Sequence, residues 1–256
     1  MTNNFHPIKR NKRTFELVAD EIKEAILSGN LKPGERLASE RDLALQMQVS
    51  RPVIRESLRM LEMPGLIFIK PGVDGGVFVK EPDAMNMFKS FSDLLRLDYI
   101  DVEQLTEARL LIEQDLLELV VKKAKPEDFK PLDDLIVVAS EKLKRGEKIR
   151  KENFQFHIEL AKLARNPLLA MVVNSIVAIV SVFVHNLDPP LEHSKEILES
   201  HKEILRELKR GNLLSANKRL GYHIRYFSKE FNKLRPFKGI KFDEPIPNVL
   251  KGWRDL

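Results

Sequence analysis

The chain has 256 residues and a net charge of +5, and hydrophobic residues make up 43% of it. These values are typical of a globular protein with room for two domains. The chain contains no cysteine, which excludes disulfides and thiolate metal sites. The positive charge favours an anionic partner without proving one. Because the first residues lack the apolar run of a signal peptide, we expect a cytoplasmic location.

Three short helical patterns follow a basic N-terminal arm. They cover residues 15–30, 40–47 and 51–63. Ser39 and Ser50 precede the second and third helices, where a serine hydroxyl is expected to cap free backbone amides. Pro52 lies in the first turn of the third helix, where proline is tolerated, and Pro64 ends that helix. Two β-rich runs, LIFIK and GVFVK, come next and are joined by PGVDG, which predicts a β-hairpin.

From residue 83 onward the pattern is helical almost throughout. The predicted helices cover residues 83–95, 102–123, 127–145, 150–163, 168–186, 192–210 and 216–233. The predicted fold class is therefore mainly α, with an N-terminal winged helix-turn-helix domain that has a small β-hairpin wing, followed by a C-terminal all-α helical bundle. We expect a flexible arm over residues 1–12, the winged domain over 13–80, the bundle over 81–233 and a tail over 234–256.

One predicted bundle helix also has the length of a membrane span. The run from residue 167 to 187 is mostly apolar, and about twenty such residues cross a bilayer. It is interrupted by Asn174, Ser175, Ser181 and His185. A helix that is apolar on most sides is equally the central helix of a soluble bundle. We interpret the run as a core helix and predict no membrane partner.

The order helix, turn, helix and wing predicts a domain that binds duplex DNA. Ser50, Arg51, Val53 and Arg55 lie in the first turns of the last helix, which enters the major groove in such domains. Arginines at i and i+4 share one face, and a guanidinium binds guanine O6 and N7 together. Arg41, near the start of the preceding helix, is expected to reach a phosphate or a base edge. The alternative is that these arginines only solvate the surface, as most exposed arginines do.

The same residues resemble a known family. L-A-S-E-R-D-L-A followed by V-S-R-P-V-I-R-E-S-L-R-M-L-E, G-L-I and G-G-V-F-V is similar to the winged helix-turn-helix of the GntR family of bacterial transcription regulators, over about residues 13–80. The resemblance implies DNA contacts by the three arginines, with Gly75 or Gly76 at the wing tip. Pro64 departs from the family pattern and is expected only to shorten the helix.

Three histidines, His157, His201 and His223, fall on three separate predicted helices of the bundle. Asn153 precedes His157 by one helical turn on the same face. Three imidazoles and one oxygen ligand suit zinc, nickel or a similar divalent ion, with positions left open for another ligand. By spacing alone, however, histidines on helices are more often core or surface residues than metal ligands.

The bundle carries a resemblance of its own. F-H-x-x-L-A-x-x-A-R-N-P-L-L, S-H-K-E-I-L-x-x-L-K-x-G-N-x-x-x-A and H-I-R are similar to the FCD effector-binding domain of the FadR subfamily, over about residues 84–232. Many members hold a divalent metal on three histidines placed like these and on an aspartate, where this chain has Asn153. The amide lacks the carboxylate charge, so we expect weaker metal binding, with zinc or nickel as the ion. Arg109 matches the subfamily's arginine for a carboxylate effector, and its alternative role is a salt bridge to Glu113 at i+4.

Together these features predict a ligand-responsive transcriptional regulator rather than an enzyme. A homodimer would place two recognition helices on a near-palindromic operator, with half-sites about one turn of duplex apart. A small organic acid bound in the bundle would favour one arrangement of the winged domains, and the resemblance implies a repressor. Two alternatives stay open: a metal-dependent hydrolase that uses the histidines, and a DNA-architectural protein with a purely structural bundle.

Overall fold

The computed structural model describes residues 12–231, apart from residues 73, 82, 83 and 98. The chain divides into two compact units, Met1–Pro82 and Asp83–Leu256. The described part contains ten α-helices, one 3-10 helix and a two-stranded antiparallel hairpin, so the predicted mainly α fold class is confirmed. The predicted arm, except for its last residue, and the predicted tail lie outside the described residues.

The N-terminal unit is a three-helix domain with a hairpin. Its elements are α1 (Thr14–Leu27), α2 (Glu40–Gln46), α3 (Arg51–Glu62), β1 (Ile67–Lys70) and β2 (Gly76–Val79). Ser39 caps α2 as predicted, because its hydroxyl accepts a hydrogen bond from the Asp42 amide at 3.2 Å. Ser50 precedes α3, but its side chain makes no capping hydrogen bond, so the prediction that its hydroxyl caps this helix is wrong. The helix ends just before Pro64, which has no amide hydrogen to continue it.

The hairpin pairs β1 with β2 in an antiparallel register that sets Ile67 opposite Val79. Residues 34–37 add to the free edge of β2, where the Leu37 amide donates to the Val77 carbonyl at 2.8 Å. Sequence patterning did not predict this pairing, because the segment is too short to show alternation. The buried side chains of these strands share one apolar core with α1, α2 and α3, so the hairpin is fixed to the helices.

The described residues of the C-terminal unit form helices joined by short turns and loops, with no strand. Its elements are α4 (Met85–Arg96), α5 (Val102–Lys123), the 3-10 helix Pro126–Phe129, α6 (Lys130–Lys144), α7 (Arg150–Leu163), α8 (Pro167–Leu187), α9 (Leu191–Lys209) and α10 (Leu213–Phe231). The helix predicted over 127–145 is divided, because the Asp128 carboxylate accepts from the Lys125 amide at 2.9 Å and closes a tight turn first. α10 begins earlier than predicted, where Asn212 Oδ1 accepts from the Ser215 amide.

α8 lies at the centre of the bundle and packs against α4, α5, α7 and α10. It is long and apolar enough to cross a membrane, but 72% of its most apolar window is buried inside the protein. The hydroxyls of Ser175 and Ser181 donate to backbone carbonyls of the same helix, which lets them lie in an apolar interior. Burial by four neighbouring helices is the property expected of a core helix.

Candidate functional site

The N-terminal end of α3 presents two of the arginines predicted to contact DNA. Arg51 and Arg55 are both exposed. The Arg55 guanidinium forms two hydrogen bonds to the Glu40 carboxylate, Nη2 to Oε2 at 2.9 Å and Nε to Oε1 at 3.4 Å. Arg51 Nη2 lies 4.0 Å from the same Oε2 atom. Glu40, the first residue of α2, therefore orients Arg55, and the hydrogen bond from Arg55 lowers the pKa of Glu40.

The other residues predicted on this surface lie in different environments. Arg41 and Ser50 are exposed. Val53 is half-buried and packs against the core of the N-terminal unit, and its carbonyl accepts from the Ser57 hydroxyl at 2.8 Å. Val53 therefore contributes to packing, whereas the arginines and Ser50 are open to solvent. Contact with DNA stays a prediction for all of them.

Close contacts distinguish Gly75 and Gly76 from Gly72, the third glycine of the wing turn. A Cβ on Gly75 would lie 2.4 Å from the Lys70 carbonyl oxygen, a distance that no side chain tolerates. Arg36 Nη2 donates to the Gly75 carbonyl at 2.5 Å, and a Cβ on Gly76 would meet Arg36 Nε at 2.6 Å. Packing thus requires glycine at position 75, whereas a side chain at position 76 would displace the Arg36 guanidinium. Arg36 ties the turn to the segment before α2. Contact of the wing tip with DNA stays a prediction.

Three histidines meet in the interior of the C-terminal unit. His157 on α7, His201 on α9 and His223 on α10 each offer one ring nitrogen within 4.8 Å of the others. The Nε2 atoms of His157 and His223 are 3.0 Å apart. His201 stacks on Phe156, with ring centroids separated by 3.9 Å. The three imidazoles are at most 3% exposed, so they form a buried cluster, called the histidine cluster below.

Arg109 and Glu113 on α5 contact this cluster. Arg109 Nε donates to Glu113 Oε1 at 2.5 Å, and Glu113 Oε2 lies 2.6 Å from His157 Nδ1. Arg109 Nη2 lies 2.9 Å from His157 Nε2. Since a carboxylate only accepts and a guanidinium only donates, a neutral His157 carries its proton on Nδ1 and a lone pair on Nε2. The salt bridge weighed for Arg109 is therefore formed, and it lies against the histidines.

Burial favours the neutral form of the three imidazoles. It lowers the pKa of His157 and holds the pKa values of His201 and His223 well below their usual range. Burial alone would raise the pKa of Glu113, but the charge of Arg109 and the contact with His157 outweigh it and lower that pKa to about 2. The histidine cluster thus offers imidazoles in the neutral form, which is the form that binds metal ions. The Arg109–Glu113 ion pair beside it is internally compensated.

Asn153 Oδ1 on α7 and His201 Nε2 on α9 are among the buried polar atoms that have no hydrogen-bond partner within the described residues. Asn153 is 3% exposed and lies one turn before His157 on the same face of α7. Unpaired buried atoms of this kind are unfavourable unless another group binds them. Three neutral imidazoles and one amide oxygen fit a divalent ion such as zinc or nickel, provided that Arg109 moves away from His157 Nε2.

Sequence reasoning left two functional candidates unassigned. Glu113 entered only as a salt-bridge partner at i+4 from Arg109, and its second contact reaches His157 on another helix, which no local pattern indicates. Glu40 binds Arg55 across the turn between α2 and α3. The signal that could have found Glu40 is its place at the start of α2, opposite the first turns of α3.

Two protein-family models match the chain. The model described as bacterial regulatory proteins of the gntR family matches residues 14–79, which include the exposed end of α3 and the wing. The FCD domain model matches residues 104–226, which include Arg109, Asn153 and the histidine cluster. Each model lies within one of the two compact units.

Relatives of this chain are transcription regulators, which are not enzymes. The HTH-type transcriptional regulator LutR of Bacillus subtilis (strain 168) is 29% identical over 204 residues, covering 78% of this chain and 92% of LutR. The Uxu operon transcriptional regulator of Escherichia coli (strain K12) is 26% identical over 241 residues, covering 91% of this chain and 92% of that protein. Among solved structures, Streptococcus agalactiae GntR matches with a TM-score of 0.60 and 24% identity, covering 84% of this chain and 99% of that chain. The structural match supports the fold.

Proposed function

Since this chain belongs to the GntR family of bacterial transcription regulators and carries an FCD domain, we propose that it represses transcription from a near-palindromic operator that it binds as a homodimer. A small carboxylate, bound beside the histidine cluster, changes its affinity for that operator. In this proposal residues 13–80 bind DNA, residues 81–233 bind the effector, and the protein acts in the cytoplasm. The observation that carries the proposal is the buried arginine beside three neutral imidazoles in the FCD domain.

Binding to DNA would use the exposed end of α3. Arg51 and Arg55 are one helical turn apart, so both reach the same groove when α3 enters it. Arg41 and Ser50 are exposed beside them and suit phosphate or base-edge contacts. Gly75 has no side chain and is buried in the wing turn. The wing would therefore approach the DNA backbone with the main chain of its turn.

The effector would bind where Arg109 and the histidine cluster meet. A guanidinium binds a carboxylate through two parallel hydrogen bonds, and Arg109 already points one N–H at His157 Nε2. Asn153 and the three histidines would hold a zinc or nickel ion. When bound, such an ion supplies a positive centre that attracts a carboxylate. A contact with the Arg109 guanidinium and a contact with the ion would both favour an anionic effector. Because the cluster is buried, that effector would have to be small.

The test begins with selection of duplexes from a randomised pool by the full-length protein. Fluorescence anisotropy then compares affinity for the selected site with affinity for random duplex. R55A should weaken the selected site about tenfold more than random DNA, since a bidentate base contact carries specificity. K23A is the matched control, because it removes one positive charge from an exposed position on α1 and should weaken both duplexes equally.

The effector is then sought with a panel of small mono- and dicarboxylates, in the presence of zinc. At least one acid should change the affinity for the selected site. The R109M/E113Q double variant, which leaves no buried unpaired charge, should abolish that change. A selected motif with two inverted half-sites supports the homodimer, and a reporter gene behind the site distinguishes repression from activation. Selection that yields no preferred sequence, or a panel without effect on DNA affinity, would reject the proposal.

A further inference from the structure

The ligand atoms of the histidine cluster carry no negative charge. Within the described residues, the group of side chains close enough to share an ion consists of His157, His201 and His223, and no carboxylate joins it. Asn153, one turn before His157, offers an amide oxygen that is neutral as well. A divalent ion bound by these four residues would bring its full charge into a buried site.

Among the residues that the structure describes, the carboxylate in contact with the cluster is Glu113, and it is already engaged. Glu113 Oε1 accepts from Arg109 Nε, and Oε2 faces His157 Nδ1. Its charge is compensated by Arg109, whose side chain is 6% exposed. The net charge of the Arg109–Glu113 pair is zero, so the pair offsets none of the positive charge of an incoming ion. Burying an uncompensated charge is strongly unfavourable.

Arg109 also occupies a position that an ion would need. Its Nη2 atom lies 2.9 Å from His157 Nε2, the ring nitrogen whose lone pair faces His223. While that contact persists, the lone pair is shared with a cationic donor and is closed to a metal ion. An anion that accepts the Nη2 hydrogen takes Arg109 away from the imidazole and brings a negative charge to the same place.

We propose that metal and carboxylate bind this site cooperatively, because Asn153 withholds the negative charge that the ion requires and Arg109 blocks His157 until an anion draws it away. The inference rests on the proposed function, since it concerns the same site, and it adds a rule for how the two ligands depend on each other. By reciprocity, the ion raises the affinity for the acid by the same factor as the acid raises the affinity for the ion.

The experiment measures zinc affinity of the full-length protein by competition with a chromophoric chelator, with sodium acetate or with sodium chloride at matched ionic strength. Acetate is a weak chelator in solution and is small enough for a buried site. In wild type, acetate should tighten zinc binding about tenfold or more. H201A should bind no zinc in either buffer, which assigns the signal to the histidine cluster.

N153D is the decisive variant, because it places a carboxylate where the amide stands. Without acetate it should bind zinc about tenfold more tightly than wild type, and acetate should add less than about threefold. N166D is the matched control. It adds the same charge at the N-cap of α8, where Asn166 Oδ1 accepts from a backbone amide and where aspartate caps equally well, so its zinc affinity and acetate dependence should equal those of wild type.

Each outcome decides the inference. Equal zinc affinity of wild type in both buffers overturns it, and so does an N153D variant with undiminished acetate dependence. Failure of wild type and N153D to bind zinc, with native circular dichroism spectra, overturns it together with the metal in the proposed function. If acetate tightens zinc binding as expected while no acid alters DNA affinity, the proposed function fails and the inference stands.

Discussion

Removing one charge of the Arg109–Glu113 pair should destabilise the C-terminal unit far more than the small change in side-chain volume suggests. The two side chains are 6% and 3% exposed and are joined at 2.5 Å, so either charge left alone is buried without a counter-charge. Breaking such a pair from one side costs about 3–5 kcal/mol. That is a large part of the ~5–15 kcal/mol by which a domain is stable. Removing both charges leaves no buried ion, so the double variant should recover much of the loss.

Urea unfolding, followed by circular dichroism in the presence of a chelator, measures the free energy of unfolding of R109M, E113Q and the double variant. The double variant should be more stable than the sum of the single effects predicts, by about 2 kcal/mol. Because the chain has two compact units, the loss of stability should appear in the unfolding transition of the C-terminal unit. The transition of the N-terminal unit should not change. Single variants that lose less than about 1 kcal/mol, or that add without coupling in the double variant, would refute the reasoning.

Three further results are expected for the N-terminal unit. S39A should cost about 1 kcal/mol in urea unfolding, since the Ser39 hydroxyl caps α2, whereas S50A should leave stability unchanged because the Ser50 hydroxyl caps nothing. G75A should cost about 1–3 kcal/mol and weaken the selected site in anisotropy, because its Cβ would press on a backbone carbonyl. E40Q should raise affinity for random duplex a few-fold, because Arg55 is released and a negative charge is lost from this surface; an unchanged affinity would show that the pair does not compete with phosphate.

The helices could be predicted because their signals are local. Periodicity, capping serines and helix-ending prolines or glycines act within a few residues, and the described helices begin or end close to those signals. Where the prediction differed, a side chain competed with the pattern. Asp128 closes a 3-10 turn before α6, although the apolar periodicity runs on through it. The membrane alternative for α8 could not be decided from its own residues, because burial by neighbouring helices decides it.

The residues of the site could be named from motifs, but their contacts could not. Motif spacing places the three histidines and Arg109 on four helices, and the contact between Arg109 and His157 joins positions far apart in the chain. Such a contact depends on the packing of α5 against α7. The contact of Glu40 with Arg55 could not be predicted either, since an exposed arginine on α3 has several possible partners. The packing of α2 against α3 selects Glu40.

The proposed ligand binding would account for the histidine cluster better than a role in stability does. The cluster's neighbours on α7, such as Phe156 and Ile158, belong to a continuous apolar core. The Arg109–Glu113 pair that contacts the cluster is a buried ion pair, and apolar side chains in place of such a pair are often equally stable or more so. Asn153 Oδ1 and His201 Nε2 also have no partner among the described residues, which lowers the stability of the unliganded fold. A ligand that binds only the folded unit restores that stability in proportion to the logarithm of its concentration. Under the proposed function, occupancy of the cluster would thereby be linked to the stability of the helices that hold it, which is the link that an effector-responsive regulator needs.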